Sequence, residues 1–194
     1  FPFHPENEAM GSRKLPFCRD LLIERTDFME DAPKKWFRLA PGMEVRLRYA
    51  YYVRCVEVVK DAAGEVVEVR CEYDPATKGG WSNDGRKVKG TLHWLSARHA
   101  VPADFRIIDH IFKTDGAAAN VDDPEAAAAN LNPNSLEVLR GFVEPGLADV
   151  EPGWRCQFER TGYFVADTKL TRPGAPVFNR TTGLRDSFAK ELQK

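Results

Sequence analysis

Residues 42–60 read GMEVRLRYAYYVRCVEVVK, and their alternation decides the fold class. Met43, Val45, Leu47, Tyr49, Tyr51, Val53 and Cys55 share one parity, while Glu44, Arg46, Arg48, Ala50, Tyr52 and Arg54 share the other. A strand sends successive side chains to opposite faces. The pattern therefore predicts one face turned to a core and one face carrying three arginines and a tyrosine. Guanidinium groups beside an exposed ring suit phosphates and unpaired bases. The stretch predicts a sheet with an RNA-facing surface.

The same pattern continues on both sides. Residues 61–64, DAAG, read as a turn with Gly64 free to take a positive φ. Residues 65–74 alternate again, with Val67, Val69, Cys71 and Tyr73 on one parity, which predicts a long hairpin with 42–60. After a polar loop at 75–84, residues 87–95 and 105–112 read as a third and fourth strand, so that one small barrel is expected over about 34–112. On the N-terminal side, 21–24 is a short apolar strand, and Thr26 or Asp27 caps a brief helical turn through Glu30. Residues 114–130 are rich in Ala, Asp and Asn and read as a linker with a short helix at 126–129. Strands are expected again at 135–140, in a pair over 154–167 turning at Thr161-Gly162, and at 175–179, with a closing turn or short helix at 181–190. Many short strands with frequent turns favour a mainly β barrel or sandwich.

With 194 residues, 43% of them hydrophobic, the chain can bury one core or two small ones. No apolar run reaches membrane-spanning length, and the N-terminus lacks a basic segment followed by an apolar one. The first residue is Phe1 rather than Met, so a piece of a longer protein is expected. The net charge of −1 argues against a non-specific coat for nucleic acid. Charge is nevertheless clustered. Lys34, Lys35, Arg38, Arg46, Arg48 and Arg54 face Glu44 alone, and Arg86, Lys87, Lys89 and Arg98 lie in a run without acids.

Signs of catalysis are absent. No phosphate-binding glycine loop, dinucleotide fingerprint or nucleophile elbow occurs. His93 and His99 flank Ser96 in HWLSARH with no carboxylate nearby in sequence. Cys18, Cys55, Cys71 and Cys156 form no paired spacing, which predicts small buried residues of a reduced, cytosolic protein and no zinc site.

Recognition chemistry is better represented. Lys35-Trp36-Phe37-Arg38 joins cations to rings, and adjacent strand residues cannot both face inward, so one ring is expected inside and one outside. Along 154–160, Arg155, Gln157 and Glu159 share one face and Trp154, Cys156, Phe158 and Arg160 the other. Gln157 can both donate to and accept from a base edge. Arg160 shares the apolar parity, so the strand ends or bulges there, or Arg160 emerges at a barrel rim.

Taken in order, HPENEAMGSRKLPF at 4–17, IERTDFMED at 23–31, EVRLRYAY at 44–51, DGRKVKGTLHWLSARHAVP at 84–102, QFERTGYF at 157–164 and PVFNRTTGLRDSF at 176–188 resemble the C-terminal anticodon-binding half of glutaminyl-tRNA synthetases. The resemblance implies a mainly β fold of two small antiparallel barrels of the ribosomal protein L25 type, with short helical turns. It implies a proximal barrel from residues 1–28 plus 113–194 and a distal barrel from 29–112. It also implies a monomeric, cytoplasmic protein away from membranes, whose partners are the anticodon loop of a glutamine tRNA and its own N-terminal catalytic domain. That domain would use ATP and Mg²⁺ to join glutamine to tRNA, and this stretch would hold no cofactor or catalytic residue of its own. Position by position, Lys35, Arg38, Arg46, Arg48, Gln157, Glu159 and Arg160 are implied as contacts to the unstacked anticodon bases and their phosphates. The family can show glutamine and lysine where Lys35 and Phe37 stand here. Related alternatives are a glutamyl-tRNA synthetase anticodon domain and an L25-type rRNA-binding protein.

Overall fold

Val45 and Val53 face each other across an antiparallel ladder, which means that residues 42–60 are not one strand. The computed structural model describes residues 1–4, 6–113 and 122–184. In it, strand β2 (Glu44–Leu47) stops at a turn and strand β3 (Tyr52–Lys60) runs back. The reversal is built on Tyr49, whose φ is 57°, with Ala50 N donating to Leu47 O at 2.9 Å and Leu47 N to Tyr51 O at 2.8 Å. Pairing Val45 with Val53 keeps odd residues opposite odd residues, so the apolar face survives the reversal: Val45, Leu47, Val53 and Cys55 are all buried. Tyr52 departs from the expected polar face, since it is buried with the Arg86 guanidinium 5.3 Å from its ring centroid.

Two compact units divide the chain, Phe1–His99 and Ala100–Lys194. In the first, β1 (Leu21–Leu22) pairs antiparallel with β6 (Leu95–Ser96). A four-stranded sheet runs β4 (Val66–Asp74), β3, β2, β5 (Thr91–Leu92), and its β2–β5 pairing is parallel. Phe28, Leu39, Val45, Leu47, Ala50, Val53, Cys55, Leu92 and Trp94 form the core, with Phe1, Leu15 and Leu21 packed on it. Each fully buried large side chain contributes about 1.5–3 kcal/mol.

In the second unit the order is β8 (Leu136–Val143), β7 (Val101–Ile108), β11 (Val177–Gly183), β10 (Gly162–Ala166), β9 (Arg155–Phe158). Here β7 and β11 are parallel and the other pairings antiparallel. Phe105, Phe158, Phe164 and Phe178 form the aromatic centre, with Phe105 and Phe178 stacked at 5.9 Å. Helix α1 (Pro124–Ala129) starts at the Asp123 cap, whose carboxylate accepts from the N–H groups of Glu125 and Ala126.

The class is mainly β, as expected, and several details differ. The strand expected at 87–95 is two short pieces, β5 and β6, and the strand expected at 105–112 begins four residues earlier, at Val101. That strand joins the five-stranded sheet of the second unit, so no single barrel spans 34–112. Two parallel pairings stand where a purely antiparallel arrangement was expected. Asp27 sits inside the short helical turn Arg25–Asp27 instead of capping it. Within the first unit Leu21 pairs with Ser96 and Phe28 with Leu39, while 101–108 pair within the second. The contact division thus differs from the boundaries that the family resemblance implies. Most of the expected linker before residue 122 and of the closing segment at 181–190 lies outside the described residues; the described part of the latter continues β11 to Gly183.

Candidate nucleic-acid interface

Arg46 is fixed by its neighbours. Parallel pairing sets it beside Thr91, whose Oγ1 accepts from Arg46 Nε at 3.1 Å and Nη2 at 2.8 Å. Its Nη1 donates to Gly80 O at 3.5 Å, and the guanidinium lies 5.2 Å from the Trp81 ring centroid. Arg48 lies over the Tyr49 ring at 5.0 Å, with Nη2 donating to Tyr49 Oη at 3.3 Å. Lys89 places its ammonium 5.2 Å from the Phe37 centroid. Three cations are thus each laid on an exposed ring of Trp81, Tyr49 or Phe37.

The basic-aromatic segment resolves into one ring inside and one outside. Trp36 is 4% exposed, with Nε1 donating to Leu39 O at 3.0 Å, and Phe37 is 47% exposed. Lys35 is exposed in the preceding turn. Arg38 is turned to the fold. Its Nε lies 3.6 Å from Asp27 Oδ1, its Nη1 donates to Thr26 O at 3.0 Å, and its side chain is 15% exposed.

In the second unit Gln157 is exposed on β9, directly opposite Tyr163. The strand ends at Phe158, and Glu159 and Arg160 form the turn, with Arg160 at φ 61°. That ending takes Arg160 off the apolar face its parity suggested and exposes it. Gly162, the first residue of β10, has no room for a side chain: a Cβ there would meet Thr182 O at 2.5 Å.

Part of the basic charge serves the fold. Arg86 pairs with Glu44 at 3.1 Å and also with Asp74 and Asp84; these carboxylates, Asp74 first, raise its already high pKa. Arg54 pairs with Glu72 at 3.4 Å and lines the same polar cleft. Both are thus taken up by carboxylates, whereas Lys89 and Arg46 lie on rings.

Ser96 and His99 meet, Oγ to Nδ1 at 2.8 Å, and Cys18 Sγ lies 2.9 Å from the same Oγ. That hydrogen bond leads the downward shift of the Cys18 thiol. Ser96 is buried and shares its hydroxyl with both neighbours, so the trio ties residue 18 to the β1–β6 ladder. Burial pushes the Cys156 thiol up to about 12, which leaves it inert at neutral pH. Cys55 is buried as expected, while Cys71 is exposed. Among the described residues no group of three or more His, Cys, Asp or Glu side chains could hold a metal ion, and no helix is long and apolar enough to cross a membrane.

Sequence reasoning passed over Trp81, Tyr49 and Lys89 as ring and cation partners. The one available signal was a tryptophan after two glycines in a polar loop, KGGW.

Two family models, both described as tRNA synthetases class I (E and Q), anti-codon binding domain, match residues 1–74 and 91–167. A glutamine–tRNA ligase of Nitrobacter hamburgensis is 57% identical over 189 residues, 96% of this chain and 32% of that protein. A glutamine–tRNA ligase of Bradyrhizobium diazoefficiens is 55% identical over 192 residues, 98% of this chain and 33% of that protein. One from Clostridium kluyveri is 46% identical over 185 residues, covering 95% and 33%. The chain spans about a third of the length of these curated relatives.

Proposed function

We propose that this chain, which belongs to the anticodon-binding domain family of class I (E and Q) tRNA synthetases, is the anticodon-reading part of a glutamine–tRNA ligase. The observation that carries the reading is the pair of family matches, 1–74 within the first unit and 91–167 running from the end of the first unit into the second, with relatives of one name across nearly the whole chain. The structure offers chemistry to suit it. Exposed Lys89 and half-buried Arg46 and Arg48 lie on exposed rings of the first unit, and Gln157 and Arg160 are exposed on the second.

In this proposal Lys35, Arg46 and Arg48 contact phosphates and unstacked bases of the anticodon loop of a glutamine tRNA. Gln157, Glu159 and Arg160 read base edges, with Gln157 and Arg160 on the central uracil. Arg38 contributes mainly by holding the segment that carries Lys35 and Phe37, because its guanidinium is occupied by Asp27 and Thr26. The ligation of glutamine to tRNA, with ATP and Mg²⁺, belongs in this reading to the remaining two thirds of a monomeric, cytoplasmic enzyme.

The test is made on the full-length ligase. Gln157→Ala and Arg48→Ala should each lower charging of glutamine tRNA at least tenfold and leave adenylate formation within about twofold of wild type. Unchanged charging by both variants would sink the anticodon assignment.

A further inference from the structure

We propose that the Trp81 indole is a stacking seat for one unpaired base of the bound RNA, with Arg46 as its backing. This inference rests on the anticodon reading above and adds a residue that neither the family matches nor the sequence pattern assigns.

Trp81 is 72% exposed, more than any other large hydrophobic among the described residues. Trp36 and Trp94, in contrast, are buried in the same unit. An indole left in water contributes little to folding, and what marks this one is the way the chain fixes it. It is also not on a loose loop. Gly79 N donates to Ala50 O and Gly80 N to Thr77 O, both at 2.8 Å, and Thr77 is itself buried, its Oγ1 accepting from Tyr52 N at 2.8 Å. Gly79 and Gly80 have φ of 94° and 84°, backbone that only glycine adopts without strain. A Cβ on Gly80 would stand 3.0 Å from Arg46 Cδ, so the two glycines let the turn close down on the arginine and deliver the next residue, Trp81, onto its guanidinium.

Arg46 is held in turn by two hydrogen bonds to Thr91. The ring therefore rests on a clamped cation, with most of its surface open to solvent. A ring fixed before binding loses little freedom when a base lands on it. The cation beside it can meet the phosphate that accompanies that base. Stacking on an indole accepts any base, so the ligand class is an unpaired base of single-stranded RNA, and Trp81 supplies affinity without base choice.

The experiment uses the full-length ligase and a synthetic anticodon stem-loop of glutamine tRNA as the probe. Trp81→Ala should weaken binding about 5- to 100-fold, the range that removal of one base-stacking ring produces. Trp81→Phe, which keeps a stacking face, should bind within about threefold of wild type. It should also lose part of the tryptophan fluorescence quenching that the RNA causes in wild type. Trp81→Ala binding within twofold of wild type overturns the assignment, and so does Trp81→Phe that keeps the full quenching. The second readout decides if the alanine variant folds poorly. A wild-type ligase that does not bind the stem-loop overturns the anticodon reading itself and this seat with it.

Discussion

Arg38 closes an ion pair on Asp27, Nε to Oδ1 at 3.6 Å, over a carboxylate that is 1% exposed. The pair joins the short turn at Arg25–Asp27 to the segment carrying Trp36 and Phe37, and Leu39 N donates to Asp27 O at 2.9 Å beside it. Breaking a buried ion pair costs about 3–5 kcal/mol, and with the Arg38 side chain partly exposed the lower end applies. Arg38→Ala should therefore lower the urea-unfolding midpoint of the first unit, with a loss of about 3 kcal/mol. Arg38→Lys should recover only part, since an ammonium cannot serve Asp27, Thr26 O and the Trp36 face together. An unchanged midpoint with RNA binding lost would make Arg38 a ligand contact instead.

Arg48 and Gln157 should fail in different ways. A cation on phosphate releases counterions, so affinity for the anticodon stem-loop should fall as salt rises. Arg48→Ala should reduce the slope of log affinity against log salt by about one unit and weaken all sequences alike. Gln157→Ala should leave that slope in place and lose discrimination against a replaced central base, worth about 1–3 kcal/mol by analogy with DNA readout. Titrations of both variants against matched and mismatched stem-loops at several salt concentrations check this. Two variants with the same salt slope would refute the division of labour.

Parity carried the reading of 42–60 further than its own secondary structure did. A reversal that pairs Val45 with Val53 preserves odd-to-odd facing, so the inward set is legible even though the strand is broken. The break itself depends on Tyr49 taking φ 57°, which no apolar period encodes. Strand partners were less legible still. The pairing of Phe105 with Phe178 joins residues far apart in sequence, and alternation states which face is apolar but not which strand lies beside it. At the candidate site, the cations were visible as charge clusters, while their rings were not. Trp81 sits in a polar loop without periodicity, and its relation to Arg46 exists only once the Gly79-Gly80 turn folds over β2. Arg86 illustrates the opposite error: it opens a run without acids, yet it is neutralised by Asp84 just before it and by Glu44 and Asp74 from farther back in the chain.

Gly90 is a second place where the interface depends on having no side chain. A Cβ there would stand 2.6 Å from Phe37 O and 3.0 Å from Val45 Cγ1, and Gly90 O accepts from Arg46 N at 2.9 Å. The first of these is backbone and cannot rotate away. Gly90→Ala should push the Phe37 segment off β2, costing about 1–3 kcal/mol as an overpacked site. RNA affinity should fall with it, because Phe37 and Lys89 lose their relative placement. Unfolding and stem-loop titrations on the same variant check both. Wild-type stability would show that the segment yields freely.

Asp167 should give the second unit a marked acid sensitivity. Asn179 Nδ2 donates to its Oδ2 at 2.8 Å, the N–H groups of Lys169 and Leu170 donate to Oδ1, and Arg106 Nη1 lies 3.1 Å from Oδ2. These donors, Asn179 first, hold the carboxyl down at about 2, against 3.8 for a free aspartate. The folded pKa is the lower one, so the contribution is complete above about pH 4. It shrinks as pH falls from about 4 to about 2 and is gone below that. Linkage sets its size at about 2 kcal/mol. Unfolding midpoints measured from pH 7 to pH 2 should drop through this window in wild type. Asp167→Asn keeps a side-chain oxygen for the two backbone donors but turns an amide toward Arg106 and Asn179. It should be less stable at pH 7 by a similar amount and lose this part of the acid response. A carboxyl titration by NMR that places Asp167 near 4 would remove the basis for the window.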